Sequence, residues 1–152
     1  MSYDIYFLSR RDGQSWEEVL DTMQDAAEDN APIPAKLLEA WQRIVPQART
    51  LLGDVGITAY EQESRELSHS GTGIDLSFFG DEVSITVPYW HTGDAAAAVL
   101  GNVFALSAIV EKETGLTPYD PQMELPVADM APQDSTALMS RIAGDLRSRY
   151  GA

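Results

Sequence analysis

The sequence predicts one α+β domain spanning residues 1–152. A mostly antiparallel sheet is packed on one face by helices, in the rough order β-α-α-β-β-β-α-β-α. Three observations predict it. Short runs alternate apolar and polar residues, and the pair from Ile74 to Val87 is the clearest of them. Two longer stretches, around Leu37–Val45 and Val99–Val110, space their apolar residues as a helix does. The length, 152 residues, suits one domain, and a domain of this size buries roughly 68–70% of its unfolded surface.

The elements follow in order. Tyr3 to Leu8 alternates Tyr3, Ile5 and Phe7 with Asp4, Tyr6 and Leu8. Both faces are largely apolar, which predicts a central strand. Arg10 to Gly13 makes a turn, and Ser15-Trp16-Glu17-Glu18 is a capping box that opens a helix. That helix is expected to bury Trp16, Val19, Leu20 and Met23 and to expose Glu17, Asp21, Asp25 and Glu28. No lysine or arginine stands between Ser15 and Ala35. Acids suit the first turn of a helix but not its last, so this face is held at some cost in stability.

Ala31 to Pro34 reads as a linker. A second helix starts near Pro34, with Leu37, Leu38, Trp41, Ile44 and Val45 as its stripe and Pro46 as a kink or a new start. Ile57 to Glu61 is a weak strand, and Ser64 to Gly73 reads as a polar, glycine-bearing loop. The hairpin follows, turning at Gly80-Asp81. Thr92 or Asp94 caps a long helix through Glu113, whose core side is Val99, Val103, Leu106 and Val110, and Thr114-Gly115 ends it. Its apolar stretch Ala95–Val110 is too short and mixed to span a bilayer. Leu116 to Tyr119 is a short strand, and Asp120-Pro121-Gln122 enters a proline-rich loop. A last helix begins at Asp134 or Ser135 and points Leu138, Met139, Ile142 and Leu146 inward.

Charge narrows the function classes. The formal net charge is −14. Nucleic acid and anionic membranes both need a basic surface, so neither is an expected partner. A basic protein is, because opposite charge speeds encounter. Acidity that serves only solubility is the plainer alternative. There is no cysteine, which excludes disulfides, thiolate chemistry and cysteine-based zinc sites. The start carries no basic n-region followed by an apolar stretch, so a cytoplasmic protein is expected.

Catalytic equipment is scarce. No Gly-x-Ser-x-Gly elbow, P-loop or dinucleotide fingerprint is present. The two histidines, His69 and His91, lack ligand spacing, although Asp75 or Asp81 stand near them in sequence. No metal or cofactor is expected. The run Pro88-Tyr89-Trp90-His91 supports two readings. Pro88 cannot donate to a sheet ladder, so the strand ends there and the rings sit beside a helix N-terminus. They form either a binding pocket whose helix amides attract an anion, or a corner in which Trp90 plugs the core and His91 caps the helix. Asp120 either orients His91 as an acid–base partner or simply starts a turn.

Three segments carry a resemblance: Met1-Ser2-Tyr3-Asp4-Ile5-Tyr6-Phe7, Asp81 to His91 with Ser84-Ile85-Thr86-Val87-Pro88-Tyr89-Trp90-His91 at its centre, and Tyr119-Asp120-Pro121-Gln122. Together they resemble small acidic actinobacterial proteins, some of which look like immunity proteins of toxin systems. The resemblance implies a stand-alone α+β domain and a toxin-neutralising role. It carries over no catalytic residue.

The expectation is therefore a non-enzymatic binder that occludes a basic toxin. Glu17, Asp21, Asp25 and Glu28 would be its acidic face and Tyr89, Trp90 and His91 its aromatic contacts. The alternative is a small-ligand binder or enzyme at the Tyr89–His91 corner with Asp120. A third class is an assembly subunit that dimerises through the helix Ala95–Val110. The sequence sets no oligomeric state.

Overall fold

A computed structural model of the chain describes residues 2–9, 13–26, 32–61, 63–80, 82–88, 93–121 and 125–127. The elements are β1 (Ser2–Leu8), α1 (Trp16–Ala26), α2 (Ala35–Leu52), β2 (Gly56–Tyr60), β3 (Ser64–His69), β4 (Ile74–Phe79), β5 (Glu82–Pro88), α3 (Gly93–Thr114), β6 (Thr117–Asp120) and β7 (Leu125–Pro126). The strands form one sheet in the order β2-β3-β4-β5-β1-β6-β7, and every neighbouring pair is antiparallel. The fold is α+β, as the alternation and helical spacing predict.

α2 and α3 pack on one face of the sheet. β1 is central, between β5 and β6, because both its faces are apolar. Its Tyr3, Ile5 and Phe7 stand opposite Val87, Ile85 and Val83. β4 continues the row with Leu76 beside Ile85 and Phe78 beside Val83. All eight of these side chains are buried. Leu37, Ala40, Trp41, Ile44 and Ala48 of α2 and Ala96, Val99, Leu100, Val103, Leu106 and Val110 of α3 complete this core. Trp41 meets Phe78 edge-on at a centroid distance of 5.1 Å, the geometry that sets a ring's positive edge on its neighbour's negative face.

Local chemistry sets the element ends. Ser15 Oγ accepts from the Glu18 amide at 3.1 Å, and the Glu18 carboxylate accepts from the Ser15 amide at 3.4 Å. The expected capping box is therefore formed. Pro46 lies inside α2 without ending it. It is exposed, so the carbonyl it leaves without a helical donor lies toward the solvent side. α3 ends at Gly115, whose φ of 74° is a left-handed conformation that a Cβ disfavours. Gly80, at φ 57°, makes the tight β4–β5 turn that pairs Phe79 with Glu82.

Several expectations change. Ser64 to Gly73 is not a loop throughout, because Ser64–His69 is β3, paired on both sides. Only Leu67 of its six residues is an aliphatic core residue, so the alternation is faint, and two neighbouring ladders supply what the pattern lacks. Trp16, Val19 and Leu20 are half-buried rather than core, because α1 lies on the side of the sheet away from α2 and α3, with Trp16 stacked on Tyr119. α3 runs Gly93–Thr114, in keeping with the expected helix through Glu113. By length and composition alone Ala95–Thr114 would cross a bilayer, yet its larger apolar side chains line the core. The caps offered by Thr92 and Asp94, the inward Met23 side chain and the helix from Asp134 lie outside what the structure describes.

Candidate functional site

Antiparallel register sorts the strand residues into two faces. Where Ile85 points to the helices, Ser84 and Thr86 point away, and the same holds along β4 for Asp75, Ser77 and Phe79. The pairings assemble these outward residues into rows. Ser68, Asp75, Thr86 and Asp4 stand side by side across β3, β4, β5 and β1. The next row runs Thr58, Glu66, Ser77, Ser84, Tyr6 and Tyr119. A third holds Tyr60, Ser64, Phe79 and Glu82. The result is a surface of hydroxyls and carboxylates with a few aromatic rings.

α1 stands on this same side. Trp16 stacks on Tyr119, with centroids 6.0 Å apart and planes 21° apart, and Tyr119 lies in the outward row beside Tyr6. The capping box fixes where the helix starts, so it also presents Glu17, Glu18 and Asp21 exposed to solvent. The described lysines and arginines are placed elsewhere. Lys36, Arg43 and Arg49 are on α2 and Lys112 is on α3, in the helical layer. Arg65 is on β3, but it shares the Leu67 face and donates to the carbonyls of Glu61 and Ser64 at 2.7 and 2.8 Å. Among the described residues, the outward side of the sheet thus holds acids and no lysine or arginine.

Charge is compressed at one point on this side. Ser68 Oγ lies 3.2 Å from Asp75 Oδ1 and 3.3 Å from Glu66 Oε1. Burial pushes the Asp75 carboxyl above its ordinary value of 3.8, and the Glu66 charge pushes it further, while the Ser68 hydrogen bond draws it back. At the end of β2, β3 and β4 an open cleft of about 670 Å³ is lined by Asp54, Gly56, Ser68, His69 and Asp75 among others. His69 Nδ1 is 2.8 Å from Thr72 Oγ1. His69 pairs with Ile74 and so shares the helical face, whereas Asp75 is outward. The two diverge, so no acid–base pair or shared ligand set forms between them. Among the described residues no group of three His, Cys, Asp or Glu side chains is placed to hold a metal.

The sequence-derived site residues are scattered. Glu17 and Asp21 are exposed on α1 as expected. Asp25 lies in α1 with its side chain outside the described ones, and Glu28, Tyr89, Trp90 and His91 lie wholly outside the described residues. Asp120 ends β6 just before the turn at Pro121. It is fully buried and accepts a hydrogen bond from the Tyr3 hydroxyl, also fully buried. Its carboxylate is thus an interior group held by Tyr3. The larger apolar residues of α3 are not a dimer face, because Val99, Val103, Leu106 and Val110 are core and only small residues such as Ala97, Ala98 and Ala108 are exposed. Sequence reasoning missed Glu66 and Asp75 as members of one surface. The signal for Asp75 was its alternation with Ile74 and Leu76, while Glu66 was hidden in a segment read as loop.

No protein-family model matches the chain, and no curated protein or solved structure matches it either.

Proposed function

We propose that this is a non-enzymatic acidic binding protein of the cytoplasm, an immunity protein that neutralises a basic toxin by covering its active site. The separation of charge across the sheet carries this reading. Glu17 and Asp21 on α1 and Glu66 and Asp75 on the sheet stand on one side, while the described lysines and the α2 arginines stand in the helical layer. A net charge of −14 spread evenly would serve solubility alone. In the helical layer the described bases are offset by Glu39, Glu111 and Glu113, whereas the described acids of the outward side have no such offset, and this imbalance would orient the molecule toward a cationic surface before contact. The half-buried Asp75 would gain from such a partner, since a cation relieves the repulsion from Glu66.

The test is affinity purification from the native host, followed by association kinetics with the captured protein. A basic protein whose activity is lost at equimolar complex is the expected result, with an on-rate that falls steeply as salt rises. Reversing Glu17 and Asp21 to lysine should slow association about tenfold at low salt and leave stability nearly unchanged. An acidic partner, an uninhibited one, or an on-rate indifferent to salt and to both substitutions would overturn the proposal.

A further inference from the structure

The two edges of the sheet are built differently. β7 is two residues long and ends in Pro126, a short and blunted edge. β2 is five residues, Gly-Ile-Thr-Ala-Tyr, all exposed, with neither charge nor proline. Its register with β3 runs unbroken from Gly56–Ser68 to Tyr60–Ser64, so no bulge twists it away. Among the described residues no strand pairs with its outer side. Ile57 and Tyr60, 39% and 62% exposed, are the exposed large hydrophobic residues of the described structure, and both are on this strand. Alternation sends them to opposite faces.

We propose that the outer edge of β2 takes an extended segment of a cationic partner protein as an added strand, with a lysine or arginine of that segment meeting Asp54 at the mouth of the cleft. The proposal rests on the acidic-binder reading and names how its partner is held. Main-chain hydrogen bonds supply affinity in strand addition, and pockets for alternate side chains supply selectivity. Here Ile57 and Tyr60 offer apolar contact on either face of the new strand. The cleft begins at Asp54, Val55 and Gly56, where β2 starts, so a side chain near one end of the added strand lies beside it. The flanks are acidic, with Asp54 before the strand and Glu61 after it, and Glu66 stands next to Thr58.

The same charges disfavour a second copy of this chain. A symmetric antiparallel pairing centred on Thr58 would set Glu61 of one copy opposite Val55 of the other, one residue from Asp54, at both ends. Each copy also carries a net charge of −14.

The experiment uses the full chain and two peptides about ten residues long, one alternating lysine with valine and one alternating glutamate with valine. Amide NMR, hydrogen exchange and sedimentation are read in low salt. The lysine peptide should protect amides within Gly56–Tyr60 and shift the Asp54 resonances, and the glutamate peptide should do neither. A variant with Ile57→Lys and Thr58→Lys keeps the fold, both positions being exposed, and should bind the lysine peptide at least about tenfold more weakly. The amide protection is read on the unsubstituted protein, so it decides the matter even if that variant unfolds. If the lysine peptide binds both proteins equally and perturbs Glu17 and Asp21 instead, edge pairing falls and the acidic-binder reading stands. If no lysine peptide binds, both fall. A dimer that the two edge lysines disperse would overturn the proposal by giving the edge to a second copy.

Discussion

The two faces of the sheet share every strand and every hydrogen bond, yet they differ in almost everything else. On one, Ile5, Leu76 and Ile85 meet side by side under α2 and α3 and are inaccessible to water. On the other, one residue along each strand, Asp4, Thr86 and Asp75 form a half-buried polar row. The difference shows how a strand separates two tasks. Side chains alternate with a period of two, so the apolar core and the polar outward surface are drawn from alternate positions of the same few residues. The outward face is covered only in part, where Trp16 of α1 stacks on the buried Tyr119.

The sharpest way to break this comparison is to truncate the covered face. Ile85→Ala removes a fully buried side chain between Ile5 and Leu76. It should cost about 2–5 kcal/mol in urea unfolding, since core truncation loses both transfer energy and packing. A loss as small as that of a surface substitution would mean that this face is not the core.

A smaller effect is expected at the start of α1. Ser15→Ala removes the acceptor for the Glu18 amide and should cost about 1 kcal/mol. Hydrogen exchange should quicken in the first turn of α1 and leave β4 and β5 unchanged. Uniform quickening would place α1 within the cooperative core.

Ser84→Ala then tests the open face beside Ile85. Ser84 is only half-buried, so the change should stay within about 0.5 kcal/mol. A loss near that of Ile85→Ala would show that the outward face also carries the fold.

The finest test is the pH dependence of Asp75→Asn. Burial and Glu66 raise the folded-state value of Asp75 above 3.8. The folded protein therefore holds that proton more tightly than the unfolded chain does. Its contribution favours folding at low pH and is lost as pH rises through the raised value. Asp75→Asn should thus be more stable than the parent at neutral pH, with the gap closing as pH falls through that value. Parallel stability curves for the two proteins would mean that Asp75 is not strained.

Much of the fold was legible in the chain. The alternation of Tyr3, Ile5 and Phe7 marked a central strand, the Ser15–Glu18 spacing marked a helix start, and Thr114-Gly115 marked a helix end. Each signal is local, because it depends on neighbours a few residues apart. β3 was illegible for the opposite reason. Arg65 and His69 flank a lone Leu67, so the segment becomes a strand only because β2 and β4 pair with it.

The site was less legible than the fold. Glu17 and Asp21 could be read from one helix, but Glu66 and Asp75 come together only through the β3–β4 register, and α1 joins their side only through Trp16 on Tyr119. Asp120 could be read as a turn former or as a partner for His91; it stands just before the turn at Pro121, and only the fold shows that Tyr3 donates to its buried carboxylate.

What the sequence determined by itself is the set of local preferences: strand alternation, helix caps, turn glycines and a charge of −14. Which side of the sheet the described lysines and arginines leave bare, which strand stands at the edge of the described sheet, and which carboxylates press on one another were decided only by the tertiary structure. The physical reason is that local preferences act between near neighbours in the chain. Surface charge, edge exposure and burial depend on which distant residues pairing brings together.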